Sequence, residues 1–287
     1  MTIIERALQK HRAGGDSGPR TPSTKQPRRD APLPIDPKLR LPRTPIALDI
    51  ERCRERRVML SADTDNDRGY VAAYRMLRTR LLHRARGAQW SIIGVTSASP
   101  NDGKTLTAIN LALSLARDKT RDIVLLDLDM RNPSVCKALG IRPQQELRDY
   151  LADGRSLEGV FASVGSDNLL VAGSMSPTEN ASELLADSRF DDLLATIRRG
   201  TMDPLVLIDL PPVLVTDDAL VVAPKIDSML LIASEGLTKR AELTKALDLL
   251  SEFPMAGVVL NRASESSASY RYGYEADSDM GATGKKV

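Results

Sequence analysis

One stretch constrains the fold of this chain more than any other. The apolar run Trp90-Ser-Ile-Ile-Gly-Val95 leads into Ala98-Ser-Pro-Asn-Asp-Gly-Lys-Thr105, and the helical run Leu106-Thr-Ala-Ile-Asn-Leu-Ala-Leu-Ser-Leu-Ala116 follows directly. Strand, Gly-Lys-Thr loop and helix in that order form the setting a phosphate-binding loop requires. Loop N–H groups and the positive end of the following helix point at the phosphates. Lys104 supplies a mobile charge for the β- and γ-phosphates, and the Thr105 hydroxyl is a hard oxygen of the kind Mg²⁺ accepts. Gly103 lets the backbone approach without a Cβ clash. The usual first glycine of such a loop is Ala98 here, also a small residue. Ala98, Ser99, Pro100, Asn101, Asp102, Gly103, Lys104, Thr105 and Leu106 are therefore the expected cradle for a nucleoside triphosphate and a divalent metal.

The rest of the chain agrees with that setting. Apolar runs predict strands at 91–96, 122–127, 168–172, 205–209, 228–233 and 256–261, with helices between them at 104–117, 181–199 and 238–252. Ahead of these, Glu51-Arg-Cys-Arg-Glu55 and Tyr70 to Arg86 read as helical. Strands separated by helices indicate an α/β domain of the P-loop NTPase type, a mostly parallel sheet covered by helices on both faces. Before it, residues 13–47 carry Gly14-Gly15, eight prolines from Pro19 to Pro45 and an excess of basic residues, the composition of a disordered linker. Residues 1–12 read as a short amphipathic helix, 48–263 as the P-loop domain, and 264–287, rich in Ser, Gly and Asp, as a flexible tail.

Several classes of function receive no support. A net charge of +2 gives nucleic-acid binding no basis. Cys53 and Cys136 fit neither a disulfide framework nor a zinc site, and His11 and His83 lack metal-ligand spacing. No apolar run approaches the ~20 residues that span a bilayer, and the first residues lack the apolar stretch of a signal peptide. The expected location is cytoplasmic, with any membrane attachment supplied by another protein.

A phosphate-binding loop alone binds nucleotide; chemistry needs carboxylates. Val124-Leu-Leu-Asp-Leu-Asp-Met-Arg131 ends a buried strand with Asp127, Asp129 and Arg131. On an extended strand, residues two apart share a face, which predicts all three in the cleft at the carboxyl ends of the strands. Leu205-Val-Leu-Ile-Asp-Leu-Pro-Pro212 ends in Asp209, a carboxylate placed to hold Mg²⁺ or its waters. Asp218 reads equally well as a helix cap.

MinD/ParA-type partition ATPases carry a signature lysine four residues before the loop glycine and two glycines after it; here Ser99, Pro100 and Asn101 stand in that region. Ser-x-Ser-Pro-x-x-Gly-Lys-Thr followed by Asp-x-Asp-x-Arg instead resembles the bacterial tyrosine kinases of capsule and exopolysaccharide export. The patches Thr2-Ile-Ile-Glu-Arg-Ala-Leu8 and Leu48-Asp-Ile-Glu-Arg52 resemble the exosortase-associated tyrosine autokinases within that family. The resemblance runs from about residue 48 to 274. It implies ATP with Mg²⁺ and Asp127 as general base. It also implies Thr105, Asp129 and Asp209 around the metal, Lys104 and Arg131 on the transferring group, and Asn261 at the nucleotide base.

The tail fits the same reading. Tyr270-Arg-Tyr-Gly-Tyr274 holds three of the chain's six tyrosines, and the resemblance implies that Tyr270, Tyr272 and Tyr274 are phosphoacceptors. The stretch from Asn261 to Tyr270 spans about 30 Å when extended, at ~3.3 Å per residue, enough to enter a neighbour's cleft. The resemblance further implies a separate membrane-embedded chain-length or copolymerase partner at the inner face of the plasma membrane. It also implies a homo-oligomeric ring through a Glu-x-x-Arg-x-x-Arg helix. Arg75 and Arg78 match that pattern, but Ala72 replaces its glutamate, with Asp65 or Asp67 as substitutes. A non-kinase ATPase switch shares every motif except the tyrosine cluster, and Ala72 in place of the glutamate leaves open a catalytically weak adaptor that binds nucleotide and its membrane partner.

Overall fold

The computed structural model describes residues 40–59 and 65–263, the side chains of 65–68 excepted. The N-terminal helix, most of the linker, Asp65 and Asp67 as side chains, and the tail with Tyr270, Tyr272 and Tyr274 lie outside the described residues.

Eight strands form one sheet in the order β1-β4-β5-β3-β6-β2-β7-β8. Its centre is β3 (Ile123–Asp127), β6 (Leu205–Asp209), β2 (Ile92–Ser97) and β7 (Ser228–Ser234). The flanks are β5 (Leu169–Ala172) and β8 (Met255–Asn261), then the two-residue strands β4 (Ala162–Ser163) and β1 (Thr44–Pro45). Every pairing is parallel except β4 with β5. The central strands are buried at every position, as continuous aliphatic runs covered on both faces must be. Strand alternation sends Ile92, Val124, Leu126, Val206 and Ile208 to one core and Ile93, Val95, Ile123, Leu125 and Leu207 to the other.

The second of those cores packs under α1 (Ile50–Glu55), α2 (Asp65–Ala88), α3 (Lys104–Leu115) and α4 (Val135–Leu139). The first packs under α5 (Leu147–Asp153), α6 (Ala181–Ala186), α7 (Ser188–Gly200), α8 (Asp218–Val222) and α9 (Arg240–Leu249). Aromatic residues are few, so aliphatic side chains fill both layers; Phe161 and Phe190 are the large exceptions. No helix among the described residues is long and apolar enough to cross a membrane.

Two expectations change. The linker ends earlier than residue 47: Leu41 is buried and its N–H donates to the Gly200 carbonyl at 2.8 Å. Thr44 and Ile46 donate to Phe161 and Ser163 at 2.9 and 3.0 Å, which makes β1 the sheet edge. Pro45 lies between those two donors, where a missing N–H breaks no ladder bond. The helix expected at 181–199 is two helices. Asp187 leaves helical geometry (φ −65°, ψ 150°) and its carboxylate accepts from the Arg189 N–H, capping α7.

Candidate active site

The loop joining β2 to α3 takes the shape its sequence requires. Gly103 sits at φ 89°, and a Cβ there would lie 2.2 Å from Asn261 Nδ2. Both observations demand glycine. Asp102, fully buried, closes the loop from inside. One of its oxygens accepts from the Ser99 N–H at 3.1 Å and the other from the Thr238 hydroxyl at 2.7 Å. Ser99 Oγ donates to Glu242 Oε2 at 3.2 Å. Asn261 reaches the loop itself: its amide donates to the Asp102 carbonyl at 2.9 Å. That side chain grips the cradle directly, a contact the expected role at the nucleotide base did not anticipate.

The carboxylates gather around Lys104. Its Nζ lies 2.6 Å from Asp129 Oδ2 and 3.3 Å from Asp209 Oδ1. Thr105 Oγ1 donates to Asp209 Oδ2 at 2.6 Å. Asp127 pairs in register with Asp209 across β3 and β6, so two carboxylates leave adjacent strands side by side. Asp127 Oδ2 accepts from the N–H groups of Ser134 and Val135, both at 2.9 Å, at the start of α4. Asp127 Oδ1 is buried without a hydrogen-bond partner among the described residues. Ser134 Oγ completes the ring, donating to Thr105 Oγ1 at 3.3 Å.

This crowding moves the titrations. Burial, and then the Asp209 charge, push the Asp127 carboxyl up to about 8. Asp209 is raised as well, by burial, with Lys104 and Thr105 opposing. Burial works against the Lys104 ammonium, but Asp209 and Asp129 outweigh it and hold its pKa above the usual lysine value. The Thr105 hydroxyl and the Asp129 and Asp209 carboxylates beside Lys104 are hard oxygens that suit Mg²⁺, while the partnerless Asp127 oxygen stays open to a proton. Among the described residues no group of three or more His, Cys, Asp or Glu forms a metal cage.

Arg131 does not join the cluster. Strand β3 ends at Asp127, so the alternation that predicted a shared face stops there, and residues 130 and 131 form a turn. Its guanidinium binds Asp218 Oδ2 at 3.0 Å, the Glu179 carbonyl at 3.0 Å and Ser182 Oγ at 3.2 Å. Asp218 is fully buried and is the counter-charge of Arg131, not a helix cap. Ser134, Thr238, Glu242 and Arg262 escape sequence reading because each meets the loop or its carboxylates only through the fold.

A separate groove of about 500 Å³ lies between α2 and α3, lined by Tyr74, Arg75, Arg78, Asn110 and Ser114 among others. It lines none of the residues around Lys104. Arg78 donates to the Ser114 carbonyl at 2.9 Å, which commits it to its own α3. Arg75 is exposed and Ala72 beside it supplies no charge.

Comparison with known proteins places this geometry. A family model described as ParA: NUBPL iron-transfer P-loop NTPase matches residues 90–271. The sheet and loop are thus shared with ParA-type proteins, although the partition-ATPase lysine is missing from the loop. The tyrosine-protein kinase CpsD of Streptococcus pneumoniae serotype 4 is 31% identical over 190 residues, 64% of this chain and 81% of that protein. The tyrosine-protein kinase Wzc of Salmonella typhimurium is 31% identical over 209 residues, 71% of this chain but only 28% of that longer protein. The kinase domain of the Escherichia coli tyrosine kinase ETK superposes with a TM-score of 0.61 at 30% identity, covering 71% of this chain and 80% of that domain.

Proposed function

The chain belongs to the bacterial tyrosine kinases, and from that premise we propose that it transfers the γ-phosphoryl group of ATP to its own C-terminal tyrosines, Tyr270, Tyr272 and Tyr274. The observation that carries this reading is the convergence of Lys104, Thr105, Asp127, Asp129 and Asp209 at the mouth of the phosphate-binding loop.

The mechanism follows from those groups. Loop N–H groups and Lys104 hold the triphosphate and neutralise charge on the transferring group. Lys104 exchanges its carboxylate contacts for phosphate oxygens when nucleotide enters. Thr105, Asp129 and Asp209 are the side chains that would hold Mg²⁺ directly or through water. Bound there, Mg²⁺ would supply positive charge against the charge that develops on the leaving group. A tyrosine hydroxyl, protonated at neutral pH because the free phenol pKa is ~10, attacks the γ-phosphorus. The new O–P bond forms as the bond to the β-bridging oxygen breaks and ADP departs. The phenolic proton passes to an Asp127 oxygen. A loose transition state asks little of the nucleophile, so a carboxylate suffices as base. With its carboxyl raised to about 8, Asp127 accepts that proton only in its ionised form, so transfer is expected to rise with pH toward that value.

Incubation of the purified chain with Mg-ATP tests the reading. We expect a strong phosphotyrosine signal that disappears in the triple Tyr270→Phe, Tyr272→Phe, Tyr274→Phe variant while nucleotide binding persists. Nucleotide binding with no phosphotyrosine in the unsubstituted chain would instead leave an ATPase switch or adaptor.

The proposed setting is control of exopolysaccharide chain length and export at the inner face of the plasma membrane, through a separate membrane-embedded copolymerase. Homo-oligomer contacts would use Arg75 at the groove between α2 and α3, with Arg78 already engaged by Ser114. Each phosphotyrosine adds about −1.5 to −2 charge. Three therefore put roughly −5 beside an acidic cleft, and repulsion should expel the tail and loosen the assembly. Phosphorylated protein should elute later from a sizing column than dephosphorylated protein; identical profiles would reject the idea.

A further inference from the structure

Two left-handed residues face each other across the loop. Asn101, at the loop crest, has φ 67°, and Arg262, the residue after β8, has φ 57°. The Arg262 guanidinium donates to the Asn101 carbonyl at 2.9 Å. The neighbouring Asn261 amide donates to the next carbonyl of the loop, that of Asp102, also at 2.9 Å. Asn261 is itself fixed: its carbonyl accepts from the Glu235 N–H and its side-chain oxygen from the Arg262 N–H, both at 2.9 Å.

These bonds have a consequence for the opposite edge of the loop. In a trans peptide the C=O of one residue and the N–H of the next point in opposite directions, and the described residues contain no cis bonds. Drawing the Asn101 and Asp102 carbonyls toward the end of β8 turns the Asp102 and Gly103 N–H groups away from it. Neither N–H has an acceptor among the described residues. They are the amides a phosphate would use.

We propose that Arg262, acting with Asn261, is a positioning residue that aims the phosphate-binding amides of the loop by holding its carbonyls from behind. This rests on the reading of the loop as a nucleotide site. Arg262 acts through Asn101, and its left-handed backbone brings the guanidinium to the loop. That backbone provides a test. Glycine adopts φ near 57° without the steric penalty of an arginine, so Arg262→Gly removes the clasp while relaxing the chain.

The experiment titrates a fluorescent ATP analogue with Mg²⁺ into the full chain and its Arg262→Gly and Arg262→Lys variants. Thermal melting and the ATP dependence of phosphotyrosine formation are measured in parallel. The Arg262→Gly variant should bind nucleotide roughly tenfold more weakly, the effect of losing one charge-assisted hydrogen bond. Its KM for ATP should rise by more than kcat falls, and its melting temperature should stay level or increase. The Arg262→Lys variant, which keeps a donor, should recover most of the affinity. Unchanged affinity in Arg262→Gly would overturn the proposal, as would affinity and melting temperature falling together. A parent chain that binds no nucleotide would overturn the nucleotide reading itself, a result distinguishable from either.

Discussion

Replacing Lys104 by Met is expected to eliminate phosphotyrosine formation, with a rate loss on the order of a thousandfold or more. A preorganised cation facing developing phosphoryl charge is worth about that much in a site from which water is excluded. The same substitution should weaken the fold. Lys104 is the cation seen between Asp129 and Asp209, at 2.6 and 3.3 Å, and Asp209 is fully buried. Removing one partner of a buried ion pair leaves the other uncompensated, at a cost of about 3–5 kcal/mol. The two effects separate by pH. Without the lysine, the carboxylates hold protons more tightly folded than unfolded, so the variant regains stability as pH falls and loses it as pH rises. Activity does not return on acidification, because the charge that faced the phosphates is gone. Melting curves and phosphotyrosine blots at pH 6 and pH 8 provide the check. A Lys104→Met variant that melts like its parent at both pH values, or that still phosphorylates, would break the link between this lysine and the cluster.

What the sequence made legible, and what it hid, divides along the range of the interactions. Strand β6 lies where its apolar run placed it, at 205–209, and the other long strands fall within a residue or so. Continuous Val, Ile and Leu between polar breaks has one comfortable place in an α/β domain, the doubly covered centre of the sheet. Asp127 and Asp209 were legible as partners because both close such runs and parallel register sets them side by side. Arg131 misled because strand alternation holds only while the strand lasts, and β3 stops at Asp127. The two-residue strands β1 and β4 were invisible, since two residues have no period and Thr44 finds Ala162 only through tertiary structure. The contact between Arg262 and Asn101 was hidden for the same reason. Both residues look like ordinary loop positions, and nothing local in the chain announces a positive φ at an arginine.

Asp127→Asn should make the nucleotide-free protein more stable at neutral and alkaline pH while disabling phosphoryl transfer. The parent carboxyl titrates at about 8 in the fold, chiefly because burial and the neighbouring Asp209 disfavour its ionised form. In the unfolded chain it titrates near 4. Between those values the folded state retains a proton that the unfolded state has lost, so stability falls as pH rises from ~4 to ~8 and then levels off. The full penalty at alkaline pH is of order a few kcal/mol. Asparagine preserves the acceptor for the Ser134 and Val135 N–H groups and places a neutral amide where the partnerless oxygen sits. The variant should therefore melt about 5–10 °C higher than its parent at pH 8.5, with little difference at pH 4. Transfer should fall by roughly 10²–10⁴, the usual contribution of a positioned base. Parallel melting profiles for parent and variant across this pH range would show that Asp127 is already ionised in the empty site. Undiminished phosphotyrosine formation in the variant would assign the proton to another acceptor. The stability gained at alkaline pH by this substitution measures the cost of holding Asp127 ionised, the form that can act as base, in the empty site.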